Sequence, residues 1–317
     1  MLTVFFSSRN GARTLPRVLD AYTRLGTVPG GWKLVVVDNA STDDTPSILS
    51  SFVPRLPLTL LRETGAGKNR ALNRALPHGE GDLYVFTDDD AVPEPDWLRR
   101  LRQAADAHPD HAVFGGSIRP FWPQDPPAWM AGFKVPLNVL YSITAEKEGP
   151  VSANLVWGPN MAIRAEAFAA GHRFDDQVGP DGSPGYAMGS ETEFNMRLER
   201  AGYKAWFAES AIVHHMIRPE QMSVEWMLGR AYRHGRGIRR FDPSRVPTDG
   251  PLLDGVPLPV VARQAFYRTA AALARPLPPS RKRFWLLWRE QWYRGLADSF
   301  RDKAGPAAPV RQPGALA

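Results

Sequence analysis

Short apolar runs alternate with amphipathic segments along the first 115 residues of the chain. The apolar runs predict four β-strands, at residues 2–6, 33–37, 58–61 and 82–87. Apolar residues spaced three or four positions apart predict helices between consecutive strands. Because these strands are apolar throughout, both faces of their sheet should be covered, as in parallel sheets. The pattern therefore predicts an α/β fold with a Rossmann-like, mostly parallel sheet flanked by helices.

The order of elements becomes less regular in the remainder of the chain. In the second half of the same domain, residues 116–240, we expect a Pro- and Trp-rich loop, one helix and one strand, at 119–129, 190–201 and 205–213. A Pro-rich linker, a helical extension and a disordered Ala- and Pro-rich tail are then predicted at 241–262, 263–303 and 304–317.

The composition is that of a soluble globular protein. With 317 residues, of which 43% are apolar and 23% charged, the chain can bury a full core. It contains no cysteine, which excludes disulfides and thiolate metal sites. It has no signal-type segment, and no apolar run approaches the roughly 20 residues needed to span a bilayer. We therefore expect a cytoplasmic protein, with the inner face of the membrane as a further option.

The formal net charge of +6 arises from one C-terminal segment. Residues 263–303 contain ten Lys or Arg and three Asp or Glu, so the rest of the chain is close to neutral. This distribution argues against a nucleic-acid partner. Within the segment, Trp285, Trp288 and Trp292 recur at helical spacing between cations. Such a helix could contact an anionic membrane through residues 280–303 or pack on the rest of the protein, and both interpretations stay open.

Three consecutive carboxylates, Asp88, Asp89 and Asp90, follow the fourth predicted strand. Like charges repel, and burying them is costly, so such a cluster at the end of a buried strand is typical of a cation site. Hard oxygen ligands select Mg²⁺ or Mn²⁺, ions that commonly serve phosphate groups. The alternative is a solvated acidic turn.

Other polar residues fall at the same predicted edge of the sheet, where ligands of parallel sheets bind. Ser8 and Asn10 follow the first strand, and Asp38, which could also be a turn residue or helix cap, follows the second. Lys68 lies in Gly65–Arg70, which resembles a phosphate-binding P-loop but lacks its first glycine and its hydroxyl. It still places cations at a helix N-terminus, a site suited to anions, unless they are simply solvated.

The second half supplies a candidate base. Ser190 and Glu193 have the spacing of a capping box, which would make Ser190 the N-cap of a helix. Glu191 then lies in the first turn, where the helix dipole favours its ionised form, and an ionised carboxylate can act as a general base. His214 and His215 end a predicted strand. Because neighbouring strand residues face opposite ways, at most one can meet the predicted cation.

The chain resembles the family 2 glycosyltransferases over roughly residues 2–240. Seven segments carry this resemblance in the order found in the family: 4–10, 36–43, 67–69, 87–90, 158–164, 189–194 and 214–215. The resemblance implies the GT-A fold and an inverting transfer of a sugar from a nucleoside diphosphate sugar. It also implies a Mg²⁺ or Mn²⁺ cofactor, and a saccharide or lipid-linked acceptor in polysaccharide or glycolipid synthesis.

The resemblance also implies roles for individual residues. In the nucleotide-sugar-binding half, 1–115, the implied donor contacts are Ser8, Asn10, Asp38, Lys68, Asp88 and Asp89. The implied metal ligands are Asp88, Asp90 and His215, with His215 matching the family's histidine better than His214. In the catalytic half, 116–240, Gly158 and Asn160 would border the sugar and acceptor, and Glu191 would deprotonate the acceptor hydroxyl. Aromatic faces suit sugar rings, so Trp122 and Trp129 are further candidates on the acceptor side.

The motifs depart from the family pattern in three places. The common Glu-Asp pair is Ser190-Glu191 here, so that the base is a longer carboxylate. The family's Ala-Arg-Asn is Gly67-Lys68-Asn69, and its Pro-Thr after the first strand is Ser7-Ser8.

Three other classes of protein compete with a glycosyltransferase. A nucleotide-sugar-binding protein without turnover would keep the pocket and lose the base, yet the acidic motif and Glu191 are present. A nucleotidyl transferase would need a glycine-rich loop after the first strand, where only Gly11 occurs. A metal phosphohydrolase would be expected to supply more histidine ligands.

Overall fold

The computed structural model describes residues 1–126, 130, 137–247 and 250–302. Two sequence predictions fall outside these residues. They are the placement of Trp129 on the acceptor side and the disordered tail at 304–317.

The first half of the chain forms the predicted alternation of strands and helices. Its elements are β1 (Leu2–Ser8), α1 (Leu15–Tyr22), β2 (Trp32–Asn39), α2 (Thr45–Phe52), β3 (Leu58–Glu63), α3 (Lys68–Ala75) and β4 (Leu83–Phe86). The strands lie in the order β3-β2-β1-β4, and every neighbouring pair is parallel. The prediction of a parallel sheet is therefore confirmed for this half.

The second half extends the same sheet with mixed strand directions. Its elements are β5 (Ala91–Pro93), α4 (Trp97–Ala107), β6 (Val113–Phe121), α5 (Leu137–Tyr141), β7 (Gly149–Val151), β8 (Met161–Arg164), α6 (Ala165–Ala169), α7 (Ser190–Arg200) and β9 (Ala205–Met216). Strand β8 lies antiparallel between β4 and β6, whereas β6 and β9 are parallel. Strands β5 and β7 pair antiparallel with β9. Only β9 of these strands was predicted as such.

The sheet is covered on both faces. Alternate residues of β1 point to opposite sides, so Val4 and Phe6 pack in one apolar cluster and Phe5 in another. Helices α1 and α4 contribute to the first cluster, and α3 and α7 to the second. Helices α3 and α7 are thus held on the same face of the sheet, which brings their N-terminal ends to the same edge.

The C-terminal part adds three helices and a hairpin: α8 (Val224–Phe241), β10 (Leu252–Leu253), β11 (Val256–Pro257), α9 (Leu258–Ala274) and α10 (Arg281–Arg301). The helical extension predicted at 263–303 consists of α9 and α10, which are separated by the prolines of 276–279. The segment predicted as a linker contains the hairpin and the first turns of α9. None of the helices in 1–126, 137–247 and 250–302 is both long enough and apolar enough to cross a membrane.

Helix α10 packs closely against α8. A Cβ on Gly235 would lie 2.0 Å from the carbonyl oxygen of Trp292, and a Cβ on Gly295 would lie 2.0 Å from that of Tyr232. The aromatic stripe of α10 faces this contact, and Trp288 is buried in it. The membrane contact predicted for 280–303 is therefore not supported, because the Trp stripe packs inside the protein.

We expect Gly235→Ala to destabilise the protein. The added methyl group would collide with backbone rather than with a movable side chain, so the free energy of unfolding should fall by roughly 1–3 kcal/mol or more. Gly229→Ala on the same helix is the control, since its Cβ would meet only the end of the Arg233 side chain at 3.2 Å. Chemical denaturation measures both, and equal stabilities would contradict the packing described here.

Candidate active site

A cleft opens where β1, β2 and β4 end. Its outer cavity, about 360 Å³, is lined by Ser7, Asn39 and the three aspartates on the sheet side, and by the 180–186 loop opposite. A smaller inner cavity of about 120 Å³ contains Gly158 and Glu191. Lys68 and Asp88 line both cavities, so the two form one continuous site.

Lys68 connects the two halves of this site. It is the first residue of α3, and its backbone N–H donates to the Pro180 carbonyl at 2.8 Å. Its ammonium lies 2.5 Å from Asp88 Oδ1 and 2.5 Å from Glu191 Oε1. Burial would lower the pKa of Lys68, but the carboxylates of Asp88 and Glu191 outweigh burial and raise it. Lys68 is therefore a permanent cation between two acids.

Glu191 is held in the first turn of α7 by a close fit. A Cβ on Gly158 would lie 2.5 Å from the Glu191 carboxyl carbon, so only glycine leaves room for it. Burial opposes ionisation, but Lys68 lowers the pKa of Glu191 below its usual value. The carboxylate is thus held in its ionised form, the form that a general base requires.

The start of α7 differs from the prediction. Gly189, with φ +110°, is the N-cap, and Ser190 is the first helical residue. The Ser190 hydroxyl donates to Asn69 Oδ1 at 2.6 Å, which ties α7 to α3. Glu193 pairs with Arg197 at 2.9 Å. The predicted capping box is therefore wrong, because Ser190 bonds to another helix instead of its own backbone.

Asp89 turns away from Lys68 and accepts a hydrogen bond from the Ser8 hydroxyl. Burial, with the neighbouring Asp90, raises the pKa of Asp89 to about 7. A Cβ on Gly11 would lie 2.2 Å from Ser8 Oγ and 2.5 Å from Asp89 Oδ2. Ser8 thus positions Asp89 from below, and Ser7 lines the outer cavity in its place.

Asp90 faces His215 and Arg218. The distance from Asp90 Oδ1 to His215 Nε2 is 3.4 Å, and from Asp90 Oδ2 to Arg218 Nη1 it is 3.1 Å. Although burial opposes ionisation, these two neighbours lower the pKa of Asp90 to about 2. His215 Nδ1–H donates to the Tyr141 carbonyl at 2.6 Å, which fixes the ring. His214 lies on the other side of β9 and contacts Glu94 at 3.0 Å.

The end of β2 holds buried polar atoms without partners. Asp38 is 2% exposed, and its Oδ1 accepts from the Ser41 N–H at 3.2 Å. Its Oδ2 has no hydrogen-bond partner among the described residues, with Arg62 Nε 3.8 Å away. The side-chain oxygen of Asn39 is in the same situation. Such atoms are costly unless a ligand supplies donors, so this end of β2 is suited to bind one.

Asn10 and Asn160 have structural contacts. Asn10, at φ +56°, accepts from the Thr42 N–H at 2.8 Å and so links the loops after β1 and β2. Asn160 is fully buried, and its amide contacts the Ser117 and Ala211 carbonyls and the Trp97 indole. The predicted contact of Asn160 with the sugar is therefore not supported, because its side chain points into the core. Gly158 does border the inner cavity.

On the acceptor side, the residue that was predicted does not line the inner cavity, and two that were not predicted do. Trp122 packs edge-on against Tyr141 at 5.2 Å between ring centres and does not line either cavity. Tyr186 and Arg230 do line the inner cavity and were not predicted. Arg230 lies on α8, whose sequence is rich in Arg and Gly and did not indicate a helix. Tyr186 lies in an irregular loop, where the sequence gives no periodic signal.

A third cavity, about 500 Å³, lies on the other side of the 181–187 loop. Three arginines line it, but each already has a protein partner: Arg236 contacts Asp302, Arg239 the Ser299 carbonyl, and Arg240 Asp175. All three arginines of this cavity are thus already engaged by other groups of the protein.

The cleft offers oxygen and nitrogen donors to a divalent ion. No group of three His, Asp or Glu side chains within the described part of the chain converges as a ready-made metal site. The carboxylates nevertheless are hard ligands, and Asp90 Oδ1 lies 3.4 Å from His215 Nε2, somewhat more than the roughly 3.0 Å between adjacent ligands of an octahedral ion. The donor types, rather than a preformed geometry, are those that suit Mg²⁺ or Mn²⁺.

Comparison with known proteins identifies the class of this protein. The family model "Glycosyl transferase family 2" matches residues 3–175, more than half of the chain. The chain belongs to the family 2 glycosyltransferases, and the resemblance noted in its sequence is confirmed.

Individual relatives agree with this assignment. The chain is 25% identical over 259 residues to the succinoglycan biosynthesis protein ExoM of Rhizobium meliloti, covering 80% of this chain and 78% of that protein. It is 23% identical over 169 residues to the glucosyl-dolichyl phosphate glucuronosyltransferase of Haloferax volcanii, covering 52% of each, so it spans about half of that relative.

A solved structure confirms the fold. The mannosyltransferase PcManGT from Pyrobaculum calidifontis, in complex with GDP-Man and Mn²⁺, superposes with a TM-score of 0.60 at 23% identity. The match covers 96% of this chain and 88% of that one. The α/β fold of this protein is therefore of the GT-A type.

We expect Gly11→Ala to impair sugar transfer. The new methyl group would displace Ser8 or Asp89, and shifts of about 1 Å in a catalytic site can lower rates roughly 10²-fold. Gly26→Ala is the control, since its nearest neighbours would be 3.5 Å or more away. Initial rates and thermal unfolding of both variants would be compared. A Gly11→Ala enzyme with the wild-type rate would contradict the role given to Ser8 and Asp89.

Proposed function

We propose that this protein is a metal-dependent, inverting glycosyltransferase. It would move a sugar from a nucleoside diphosphate sugar to a hydroxyl group of a saccharide or lipid-linked acceptor, in polysaccharide or glycolipid synthesis. The observation that carries the proposal is the position of Lys68, 2.5 Å from a carboxylate of the outer cavity and 2.5 Å from one of the inner cavity. One cation thus lies between a donor-sized cleft and a candidate base.

The outer cavity is suited to the donor. Asn39 lines it, and the partnerless oxygens of Asn39 and of its buried neighbour Asp38 are acceptors for the N–H or hydroxyl groups of a nucleoside that reaches the end of β2. Lys68 can approach the diphosphate, because both its ammonium group and the N-terminal end of α3 attract negative charge. The mannosyltransferase with GDP-Man supports a nucleotide-sugar donor, since its fold is the same. Asn10 and Ser8 would act indirectly, through the loops and Asp89.

Asp88, Asp90 and His215 would hold Mg²⁺ or Mn²⁺. A divalent ion there would neutralise negative charge on the leaving diphosphate, an effect worth several kcal/mol. The Tyr141 carbonyl keeps the His215 ring oriented, with Nε2 towards Asp90. Arg218 and Lys68 balance the carboxylates and would shift towards the diphosphate when the donor binds.

Glu191 would act as the base in the inner cavity. It would take the proton of the acceptor hydroxyl as that oxygen attacks the anomeric carbon from the face opposite the diphosphate, which then leaves. The new glycosidic bond would have the inverted configuration. Base catalysis of this kind typically contributes roughly 10²–10⁴-fold in rate. The dolichyl phosphate acceptor in the name of the Haloferax relative supports a lipid-linked acceptor as one option.

We expect Glu191→Gln to abolish transfer while donor binding survives. The amide keeps the size of the side chain but cannot take a proton, so the rate should fall roughly 10²–10⁴-fold. Glu193→Gln, on the same helix and paired with Arg197, is the matched control and should stay near the wild-type rate. Product formation from radiolabelled sugar donors and donor affinity by calorimetry would be measured. If Glu191→Gln transferred sugar near the wild-type rate, Glu191 would not be the general base. A wild-type protein that binds donors without turnover would be a binding protein.

We also expect donor affinity to depend on a divalent ion. Calorimetry with UDP, GDP and dTDP sugars, in Mn²⁺ and in EDTA, should show binding that weakens roughly tenfold or more without the ion, which corresponds to about 1.4 kcal/mol or more, because the diphosphate then loses its divalent counter-charge. Asp90→Asn should lose most of the Mn²⁺ effect. Asp96→Asn, on the outer surface before α4, should keep it. Equal affinity with and without Mn²⁺ would rule out metal dependence.

A further inference from the structure

The exposed large hydrophobic side chains of the described residues concentrate in one segment of the C-terminal part. Six of them lie on the hairpin, on α9 and just after it: Leu252, Leu253, Leu258, Phe266, Leu273 and Leu277. Phe266 is 63% exposed and Leu273 72%. Isolated surface leucines are normal, but a continuous row marks a binding surface.

The row is a helix face. Leu258, Ala262, Phe266, Thr269 and Leu273 follow one another at intervals of four, four, three and four residues, which places them on one side of α9. The other side of the helix, with Val260, Tyr267, Ala271 and Ala274, faces the protein, where Val260 and Tyr267 pack against α10. Helix α9 therefore has two apolar faces. One packs on α10, and the other, here called the bare face, is not covered by any of the described residues.

Arginines flank the bare face on both sides. At 100° per residue, Arg263 lies beyond one edge of the row and Arg268 and Arg275 beyond the other. No Asp or Glu occurs from Gly255 to Arg289. Arg275 pairs with Glu290 at 2.8 Å, whereas Arg263 and Arg268 form no ion pair with the residues that the structure describes. The face is apolar in the middle and cationic at its borders.

The arginines at the borders of the bare face favour an anionic lipid surface over a second copy of the chain as its partner. A second copy of the chain packed on the outer face of α9 would bring arginines together with no Asp or Glu of that helix to pair them, which is unfavourable. An anionic lipid surface supplies acyl chains for the leucines and Phe266, and phosphates for the arginines. We propose that the outer face of α9, with Leu252 and Leu253 of β10, docks on an anionic membrane surface, with Asp254 in the hairpin turn left in water. The helix would lie parallel to the surface, and the docking is independent of the proposed sugar transfer.

The test is co-sedimentation of the full chain with vesicles. The wild type should bind vesicles of phosphatidylcholine with phosphatidylglycerol and bind pure phosphatidylcholine much less. Phe266→Asp/Leu273→Asp should lower the partition coefficient roughly tenfold or more. These variants remove two apolar side chains that would insert into the membrane, and they add two negative charges. Val53→Asp/Val224→Asp is the matched control, because these valines, 45% and 41% exposed, lie just after α2 and at the start of α8, away from α9. It should bind like the wild type.

A second pair of variants tests the charges. Arg263→Gln/Arg268→Gln should reduce binding to the anionic vesicles at low salt by roughly thirtyfold, because each arginine near an anionic surface contributes about 1 kcal/mol. Circular dichroism and donor affinity should remain unchanged in every variant, which separates docking from the proposed catalysis. Wild-type binding that the Asp variants do not weaken, absence of vesicle binding, or a dimer in light scattering that Phe266→Asp/Leu273→Asp dissolves would overturn the proposal.

Discussion

The site depends on one half-buried cation held between two carboxylates. Lys68 contacts Asp88, from the half of the domain with the parallel strands, and Glu191, from the half with mixed strands. Without the lysine, two carboxylates would face each other in a partly buried cleft, which is strongly unfavourable. The same constraint explains Gly158, because any side chain there would push Glu191 away from Lys68. The pairing keeps Glu191, the proposed base, ionised and ties α3 to α7 across the site.

The sequence predicted the parallel half of the fold and missed much of the other half, for a physical reason. Strands buried on both faces are uninterrupted apolar runs, as in β1 and β2, and such runs are easy to recognise. Strands β5 and β7 have three residues each, and β8 has four, so their patterns cannot be told from those of loops. Their pairing with β9 and β6 is decided by contacts distant in sequence.

The sequence predicted at which strand ends the site lies, but not which side chains at those ends face the cleft. Asp38, Lys68, the three aspartates and His215 come together because parallel strands deliver their carboxyl ends to one edge. What a strand end does not reveal is which of two neighbouring side chains faces the ligand. Ser8 lies under Asp89 whereas Ser7 lines the outer cavity, and Asn160 points into the core while Gly158, two residues before it, lines the inner cavity. To predict Arg230 in the cavity, one would first have had to predict helix α8, and its many glycines and arginines gave no helical pattern.

Helices α9 and α10 show why periodicity alone cannot name the partner of an apolar face. Both have an apolar stripe with arginines, and the richer stripe, with the tryptophans, proved to be the buried one. The difference lies in the glycines. Gly235 and Gly295 let α8 and α10 approach until backbone atoms touch, which only a protein partner in fixed register can exploit. Helix α9 contains no glycine, and its outer face bears long side chains instead, with cations at both borders. A fluid surface requires no such fixed register, so the helix without glycines is the better candidate for lipid.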